Sequence, residues 1–156
     1  MPVFNNRTPQ YAEQVEGGIG RMQRDRLLEG DQLGGICSYV AQISLEPGCS
    51  IGIHQHVGDS EMYFITAGTA TYTENDVEYR VEKGDVLYCP DGSFHGILNS
   101  GEDVLSFVAV IQNANSDLTT AIQHYSRIYN GSDNSGPTWL FHVGALLYPL
   151  RSTYDF

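Results

Sequence analysis

The stretch that decides the fold is residues 48–68, GCSIGIHQHVGDSEMYFITAG, together with residues 84–99, GDVLYCPDGSFHGILN. The first part contains His54 and His56, which are two residues apart. Side chains at that spacing leave the same face of a β-strand. Both imidazoles can therefore reach one ligand if this part of the chain is extended.

Two further residues of metal-binding type follow where the chain is expected to turn. Glu61 comes after VGDS at 57–60, which is rich in turn-forming residues and could fold the chain back into a neighbouring strand. His95 comes after the Pro-Asp-Gly turn signal at 90–92 and would begin a third strand. Three strands side by side would aim three imidazoles and one carboxylate at one point. We therefore predict a metal site on a β scaffold.

These residues resemble the two sequence motifs of the cupin superfamily, and in particular those of small single-domain bacterial cupins. The first motif is Gly, five residues, His-x-His, four residues, Glu, six residues and Gly, and the second supplies Gly, Pro, Gly, His and Asn. Every specified position is present in this chain, at Gly48, His54, His56, Glu61, Gly68, Gly84, Pro90, Gly92, His95 and Asn99. The resemblance covers roughly residues 15–112 and leaves the C-terminal part unexplained.

The resemblance implies an all-β fold, the double-stranded β-helix or jelly-roll barrel of the cupins. It also implies one divalent transition metal ion, with His54, His56, Glu61 and His95 as its ligands. Imidazole and carboxylate ligands without thiolate suit Zn, Fe, Mn, Ni, Co or Cu, and affinity order alone does not choose among them. In the family geometry the ion keeps open positions for water or substrate, which is typical of catalytic sites.

Apolar runs separated by turn signals predict the strands of this barrel. We expect strands at 36–45, 50–56, 61–66, 69–74, 77–82, 85–89, 94–98 and 104–111. Short strands at such regular spacing are typical of a sandwich or barrel. Residues 19–28 carry Arg21, Arg24 and Arg26, and we interpret them as an edge strand with a charged face. An anion-binding patch for a small acidic substrate is the alternative.

The alternation of side chains predicts which residues face outward. Inward-pointing imidazoles on the His-x-His strand would place Ile51 and Ile53 on its outer face. An inward-pointing Glu61 would place Met62 and Phe64 outward on the following strand. An exposed apolar patch of this kind is usually covered, either by a second subunit or by the chain's own tail. We predict a homodimer.

The chain divides into a cupin domain with an N-terminal arm at 1–113 and a C-terminal extension at 114–156. Apolar residues at helical spacing predict a short helix at about 117–129. A connector at 130–137 then leads to an apolar tail at 139–150, which is too short to cross a bilayer. We expect this tail to pack against the barrel or against a partner subunit.

The composition limits the partners and the location of the protein. Eight basic and nineteen acidic residues in 156 give a net charge of −11. Such a surface repels phosphate backbones and anionic lipids, so we expect neither nucleic acid nor membrane as a partner. Three cysteines without metal-binding spacing indicate buried thiols in a reducing compartment. Without a secretory signal or a membrane span, we expect a cytoplasmic protein.

The function that the sequence favours is that of a metal-dependent enzyme, an isomerase, lyase or oxygenase. Its substrate would be a small polar molecule such as a sugar derivative or an oxygenated acid, because a bound ion can polarise a carbonyl, activate water or bind dioxygen. Tyr63 lies two residues beyond Glu61 on the same face and is the candidate catalytic residue. Tyr39 and Gln42 fall on opposite faces of their strand, so only one of them can point inward.

Two alternatives to an enzyme remain open. No free carboxylate or lysine is clearly aimed at the metal in this pattern, which favours either chemistry done mostly by the ion or simple ligand binding. A non-catalytic module that binds or senses a small ligand is therefore the main alternative. A structural role for the metal, tying strands together, is the third hypothesis.

Overall fold

The computed structural model describes residues 8–114, which form ten β-strands and two short 3₁₀ turns at Val15–Gly17 and Gly30–Leu33. The strands are β1 (Gln10–Glu13), β2 (Arg21–Glu29), β3 (Cys37–Leu45), β4 (Ser50–Gln55), β5 (Asp59–Ala67), β6 (Thr69–Glu74), β7 (Val77–Glu82), β8 (Val86–Cys89), β9 (Phe94–Leu98) and β10 (Leu105–Asn113). They make two antiparallel sheets, in the orders β1-β2-β3-β10-β5-β8 and β4-β9-β6-β7.

This architecture confirms the predicted all-β, jelly-roll fold class. Most strands agree with the predicted ranges within one or two residues, because the turn residues between them end each strand. Asn75 and Asp76, for example, both adopt positive φ angles, of 45° and 67°, and form the two-residue hairpin between β6 and β7. Two consecutive residues of this kind match the right-handed twist of the flanking strands.

β2 is the charged strand near the N-terminus, which was expected to lie at the edge of a sheet. Its first residues instead have a neighbouring strand on both sides. Residues Arg21 to Arg24 of β2 pair with β1, and the other side of β2 pairs with β3. The edge prediction was therefore wrong for Arg21 to Arg24, because the short polar segment before β2 forms a strand that pairs with them. The alternation of β2 places Met22 in the core, and the side chain of Arg24 leaves the same face of the strand.

The inner faces of the two sheets form one apolar core. On β10 the inward residues Leu105, Phe107 and Ala109 are almost completely buried. Their neighbours on β3 and β5 alternate in the same way, with Ile43, Leu45, Tyr63 and Ile65 buried. Tyr63 joins this core to the predicted metal site, because its ring contacts Phe107 at a centroid separation of 4.5 Å and His95 at 5.2 Å.

The outer face of the six-stranded sheet carries an apolar patch. Met62 and Phe64 are 37% and 42% exposed, which confirms their predicted orientation. Tyr88 and Val86 lie opposite them on β8, and Val110 and Val108 lie opposite them on β10. Among the residues that the structure describes, nothing packs over this patch. The predicted homodimer stays a prediction.

The remaining expectations concern the cysteines, membrane spans and the C-terminal extension. Cys37, Cys49 and Cys89 are all free thiols, but only Cys89 is fully buried, so the expectation of buried thiols was wrong for the half-buried Cys37 and Cys49. Within residues 8–114 we find no helix with the length and apolar character of a membrane span. The predicted helix at 117–129, the connector at 130–137 and the apolar tail at 139–150 lie outside the described residues.

Candidate metal centre

The four predicted ligands come together, but from both sheets rather than from three neighbouring strands. His54 and His95 face each other on the paired strands β4 and β9. His56 follows directly after the end of β4, whereas Glu61 belongs to β5 in the opposite sheet. The bend at Val57 and Gly58 therefore carries the chain across the sandwich and not into an adjacent strand. The donor set links the two sheets.

A β-bulge in β4 corrects the expected orientation of Ile51. The register changes from Ile51 opposite Ile97 to His54 opposite His95, so β4 holds one more residue than β9 in this interval. An extra residue reverses the alternation of side chains. Ile51 is therefore buried with 7% exposure and His54 still points inward, whereas Ile53 is 55% exposed as predicted. The simple rule of alternating faces had assumed a regular strand.

The four donor atoms are close to one another. His95 Nε2 lies 2.9 Å from His56 Nε2 and 3.1 Å from His54 Nε2. Glu61 Oε2 lies 3.2 Å from His95 Nε2, 3.4 Å from His56 Nε2 and 4.0 Å from His54 Nε2. All four donors fall within 4.8 Å of one another. Three imidazole nitrogens and a carboxylate this close together form a cluster that could hold a metal ion.

The separations test whether these donors fit a metal ion. With bonds of about 2.1 Å, neighbouring octahedral ligands are about 3.0 Å apart and opposite ones about 4.2 Å, whereas tetrahedral ligands are all about 3.4 Å apart. The observed values of 2.9, 3.1, 3.2, 3.4 and 4.0 Å all lie within the span of two such bonds, so the four donors can reach one ion. The residues therefore fit a transition metal ion, to which they supply four ligands.

Each imidazole is oriented by a hydrogen bond at its other nitrogen. His54 Nδ1 lies 2.9 Å from the carbonyl oxygen of Gly52, and His56 Nδ1 lies 2.7 Å from Asp59 Oδ1. His95 Nδ1 lies 3.2 Å from the hydroxyl of Tyr72. In the first two rings Nδ1–H donates to an oxygen, which leaves the lone pair on Nε2 free. Such contacts fix the tautomer and the direction of metal-binding histidines.

The environment of the cluster shifts the pKa values of three of its ligands. Burial by itself would raise the pKa of Glu61, but hydrogen bonds with His56 and His95 lower it to about 2. The hydrogen bond with Glu61 raises the pKa of His56, although burial opposes it. Burial lowers the pKa of His95. At neutral pH, Glu61 is therefore ionised and His95 is uncharged, as metal ligands must be.

The cluster opens into a cavity of about 370 Å³ between the sheets. His54, His56 and Glu61 line this cavity, and His95 lies behind them with only 1% exposure. The volume is near the lower end of the range for small-molecule sites. The cavity therefore has room for a small ligand that reaches the donor cluster directly.

Tyr63, the predicted catalytic residue, also lines the cavity. Its ring stacks on His95 with an angle of 24° between the planes. Burial raises the pKa of its hydroxyl well above 10, and the charge of Glu61 raises it further. Tyr63 therefore stays protonated at neutral pH and can donate a hydrogen bond, but it cannot act as a base. Its contact with a substrate stays a prediction.

Several polar residues of the cavity were missed or left open by the sequence. Asp59 and Glu16 both line it, although the sequence showed no free carboxylate clearly aimed at the metal. Arg24 and Tyr39 line it as well, and of the pair Tyr39 and Gln42 only Tyr39 points inward. The inward alternation of Tyr39 with Ala41 was visible in the sequence, but the strand order that brings Arg24 beside it was not.

Comparison with known proteins identifies the family. A family model described as the cupin domain matches residues 41–111. An oxalate-binding protein from Thermotoga maritima is 33% identical to this chain over 104 residues, which cover 67% of this chain and 86% of that protein.

Solved structures agree with this relationship. A predicted oxalate decarboxylase from Thermotoga maritima superposes with a TM-score of 0.68 at 32% identity, and the match covers 69% of this chain and 93% of that one. A cupin 2 conserved barrel domain protein from Salinispora arenicola has the same fold, with a TM-score of 0.55 at 23% identity over 68% of this chain and 84% of its own. This chain belongs to the cupin family.

Proposed function

We propose that the protein binds one divalent transition metal ion through His54, His56, Glu61 and His95 and uses it to bind a small carboxylate of the oxalate class. The observation that carries this proposal is the convergence of four donors within 4.8 Å at the wall of a cavity. Zn, Fe, Mn, Ni, Co and Cu all suit this set of imidazole and carboxylate ligands.

The relatives and the chemistry of the cavity both support a carboxylate ligand. A related protein covered over most of its length is described as oxalate-binding. A bound divalent ion supplies a Lewis acid to which carboxylate oxygens bind. The residues of this chain hold the donors in place through Gly52, Asp59 and Tyr72, and the apolar parts of the wall, such as Ile43 and Ile51, limit the space available to water.

Ligand binding is favoured over turnover by the groups that surround the cluster. The cavity lining holds no lysine. Its tyrosines, Tyr39 and Tyr63, have pKa values raised by burial and stay protonated near neutral pH. Asp59 is engaged by the imidazole of His56. The two tyrosines are therefore suited to donating hydrogen bonds to an anion and not to removing a proton from it.

The test is calorimetric titration of the protein with oxalate, before and after removal of metal with a chelator. We expect saturable binding to the metal-loaded protein and none to the metal-free protein. Glu61→Gln should abolish both metal and oxalate binding, whereas Glu78→Gln, which changes an exposed carboxylate on β7, should leave both unchanged. Equal oxalate binding with and without metal would contradict the proposal.

A lyase is the second candidate, because Glu16 lines the cavity without belonging to the donor cluster. In this candidate function the Glu16 side chain transfers the proton within an oxalate monoanion as it decarboxylates to formate and carbon dioxide. Among the predicted classes of isomerase, lyase and oxygenase, this observation favours the lyase. Formation of formate by metal-loaded protein, lost in Glu16→Gln while oxalate still binds, would support it. Oxalate recovered intact after binding would leave only the binding function.

A further inference from the structure

The side chain of Arg24 reaches the same cavity as the metal ligands. It comes from β2 in the six-stranded sheet, on the face that also buries Met22. Arg24 is paired in register with Ile43 of β3, and both residues line the cavity. The histidines of the donor cluster lie on the four-stranded sheet or directly beside β4 at its edge. The cavity therefore has a guanidinium in one wall and the donor cluster in another.

The charge of Arg24 is not neutralised by any carboxylate among residues 8–114. The only Arg–carboxylate pair in that part of the chain joins Arg26 to Glu29. Arg24 Nη2 donates to the neutral side chain of Gln10 over 3.1 Å. Its Nε is buried and has no hydrogen-bond partner. A buried donor on a charged group without a partner is costly, so its presence beside a cavity indicates a missing acceptor.

Tyr39 supplies a second donor next to this guanidinium. Burial raises the pKa of the Tyr39 hydroxyl, the charge of Glu61 raises it further, and Arg24 opposes both. Tyr39 is therefore influenced by the donor cluster on one side and by Arg24 on the other. A protonated phenol and a guanidinium can bind one carboxylate together, because the first gives one hydrogen bond and the second gives up to two.

We propose that Arg24 and Tyr39 form an anion subsite, which binds the second carboxylate of a ligand whose first carboxylate is held at the metal centre. The ligand is then a small dicarboxylate, and an uncharged group in place of the second carboxylate offers the Arg24 guanidinium no opposite charge. This inference rests on the proposed function and specifies its ligand class. It also agrees with the alternative interpretation of the arginine-rich segment at residues 19–28 as an anion-binding patch.

The test measures the binding of dicarboxylates and of their monoamides to metal-loaded protein by calorimetry. The pairs are oxalate and oxamate, malonate and malonamate, and succinate and succinamate, which keep size constant while one charge is removed. For the dicarboxylate whose length fits, wild-type protein should favour the dianion over its monoamide by about tenfold to a hundredfold, the usual size of a hydrogen bond to a charged group.

The variant Arg24→Gln should remove this preference and leave the metal content unchanged. Arg24→Lys keeps the charge but lacks the planar guanidinium that donates two hydrogen bonds to one carboxylate. It should therefore show part of the preference that Arg24→Gln loses. If Arg24→Gln does not fold, Tyr39→Phe, which removes only the hydroxyl, provides the same comparison with a smaller expected loss. Arg21→Gln is the matched control, because Arg21 lies on the exposed face of β2 against the ring of Tyr11.

Three outcomes would overturn the inference. Equal binding of each dicarboxylate and its monoamide by wild-type protein would exclude a subsite for the second charge. A preference that persists in both Arg24→Gln and Tyr39→Phe would place that subsite elsewhere. Metal-loaded protein that binds no carboxylate at all would overturn the proposed function together with this inference, whereas the first two outcomes leave the proposed function intact.

Discussion

The imidazole of His56 is held at both of its nitrogens. Nδ1 lies 2.7 Å from the carboxylate of Asp59, and Nε2 points towards His95 and Glu61. The ring is also buried, with 5% exposure, so few other orientations are open to it. A ligand that is already oriented loses little conformational freedom when it binds an ion. At the scale of single residues, the candidate site is therefore prepared for its metal.

The contribution of Asp59 can be measured. We expect Asp59→Asn to weaken metal binding by about tenfold, because the amide oxygen still accepts the hydrogen bond but no longer carries a charge. The measurement is competition with a metal indicator. Asp76→Asn is the control, since Asp76 is exposed in the β6–β7 turn at a positive φ angle that asparagine tolerates. Equal affinity in the two variants would contradict the role assigned to Asp59.

The pKa shifts also predict how metal affinity depends on pH. An imidazole must lose its proton before it binds an ion. Glu61 raises the pKa of His56 above 6.5, so the His56 imidazole still loses its proton as the pH rises above 6.5. Apparent metal affinity should therefore increase with pH through this range and then level off. His95, whose pKa is lowered, is already neutral there. An affinity that does not change between pH 5.5 and about 8 would disagree with this account.

The residues of the site differ in how well the sequence revealed them. His54, His56, Glu61 and His95 were predicted because their types and spacing form a recognisable motif. Arg24 and Tyr39 belong to earlier strands, and their place beside the cavity depends on a strand order that local patterns do not contain. Asp59 was overlooked because an acidic residue in a turn is ordinarily exposed to solvent.

At the scale of single elements, the bulge in β4 controls the geometry of the site. It allows Ile51 to join the core while His54 points towards the donor cluster. It also brings Gly52 against the N-terminal segment. A Cβ added at Gly52 would lie 2.1 Å from the carbonyl oxygen of Glu16 and 2.9 Å from the amide nitrogen of Gly18. Only glycine permits this approach, and the same residue accepts the hydrogen bond from His54.

Gly52→Ala should therefore disturb the site as well as the fold. We expect a loss of about 1–3 kcal/mol in the free energy of unfolding, the usual cost of forcing an added group into a packed place. Metal affinity should fall too, because the carbonyl that orients His54 must move. Gly35→Ala is the control: its new Cβ meets open space at a φ of +76°, so only backbone strain is added.

Chemical denaturation and metal titration of the two variants give the comparison. The account requires weaker metal binding in Gly52→Ala and unchanged metal binding in Gly35→Ala. A Gly52→Ala variant with wild-type affinity would show that the close approach at Gly52 does not position His54.

Strand positions were more predictable than strand partners. Turn residues and apolar runs fixed most boundaries closely, since both are local signals. The bulge could not be predicted, because a register shift depends on the partner strand and not only on β4 itself. For the same reason the sequence placed Glu61 in a neighbouring strand, although it lies in the opposite sheet.

At the scale of the whole molecule, the outer face of the six-stranded sheet is the largest feature without an assigned role. The patch around Met62 and Phe64 extends over β8 and β10, and Leu28 and Val40 continue it across β2 and β3. From strand lengths and spacings this face measures roughly 700 Å². Each partner in a standard protein interface contributes about 800 Å². The face is therefore large enough for a second copy of the chain.

We propose a homodimer that joins two such faces, because a symmetric dimer brings the same patch of both subunits together. Sedimentation of wild-type protein should give a dimer, and Phe64→Asp should shift it towards the monomer. Tyr79→Asp, on the exposed face of β7 in the other sheet, is the control and should stay dimeric. A monomeric wild type would instead assign the patch to the chain's own residues beyond 114, and a dimeric Phe64→Asp would place the interface elsewhere.

The number of metal ions bound per chain shows whether one ion is held between the two sheets. Metal-stripped protein is titrated with Mn²⁺, Fe²⁺, Co²⁺, Ni²⁺, Cu²⁺ and Zn²⁺ in turn, and the bound ion is measured by elemental analysis after gel filtration. We expect one ion per chain in wild-type protein and in the control Glu78→Gln, and none in folded His56→Ala or Glu61→Gln. Folded wild-type protein that retains no ion, or ligand variants that retain as much as the wild type, would contradict this expectation.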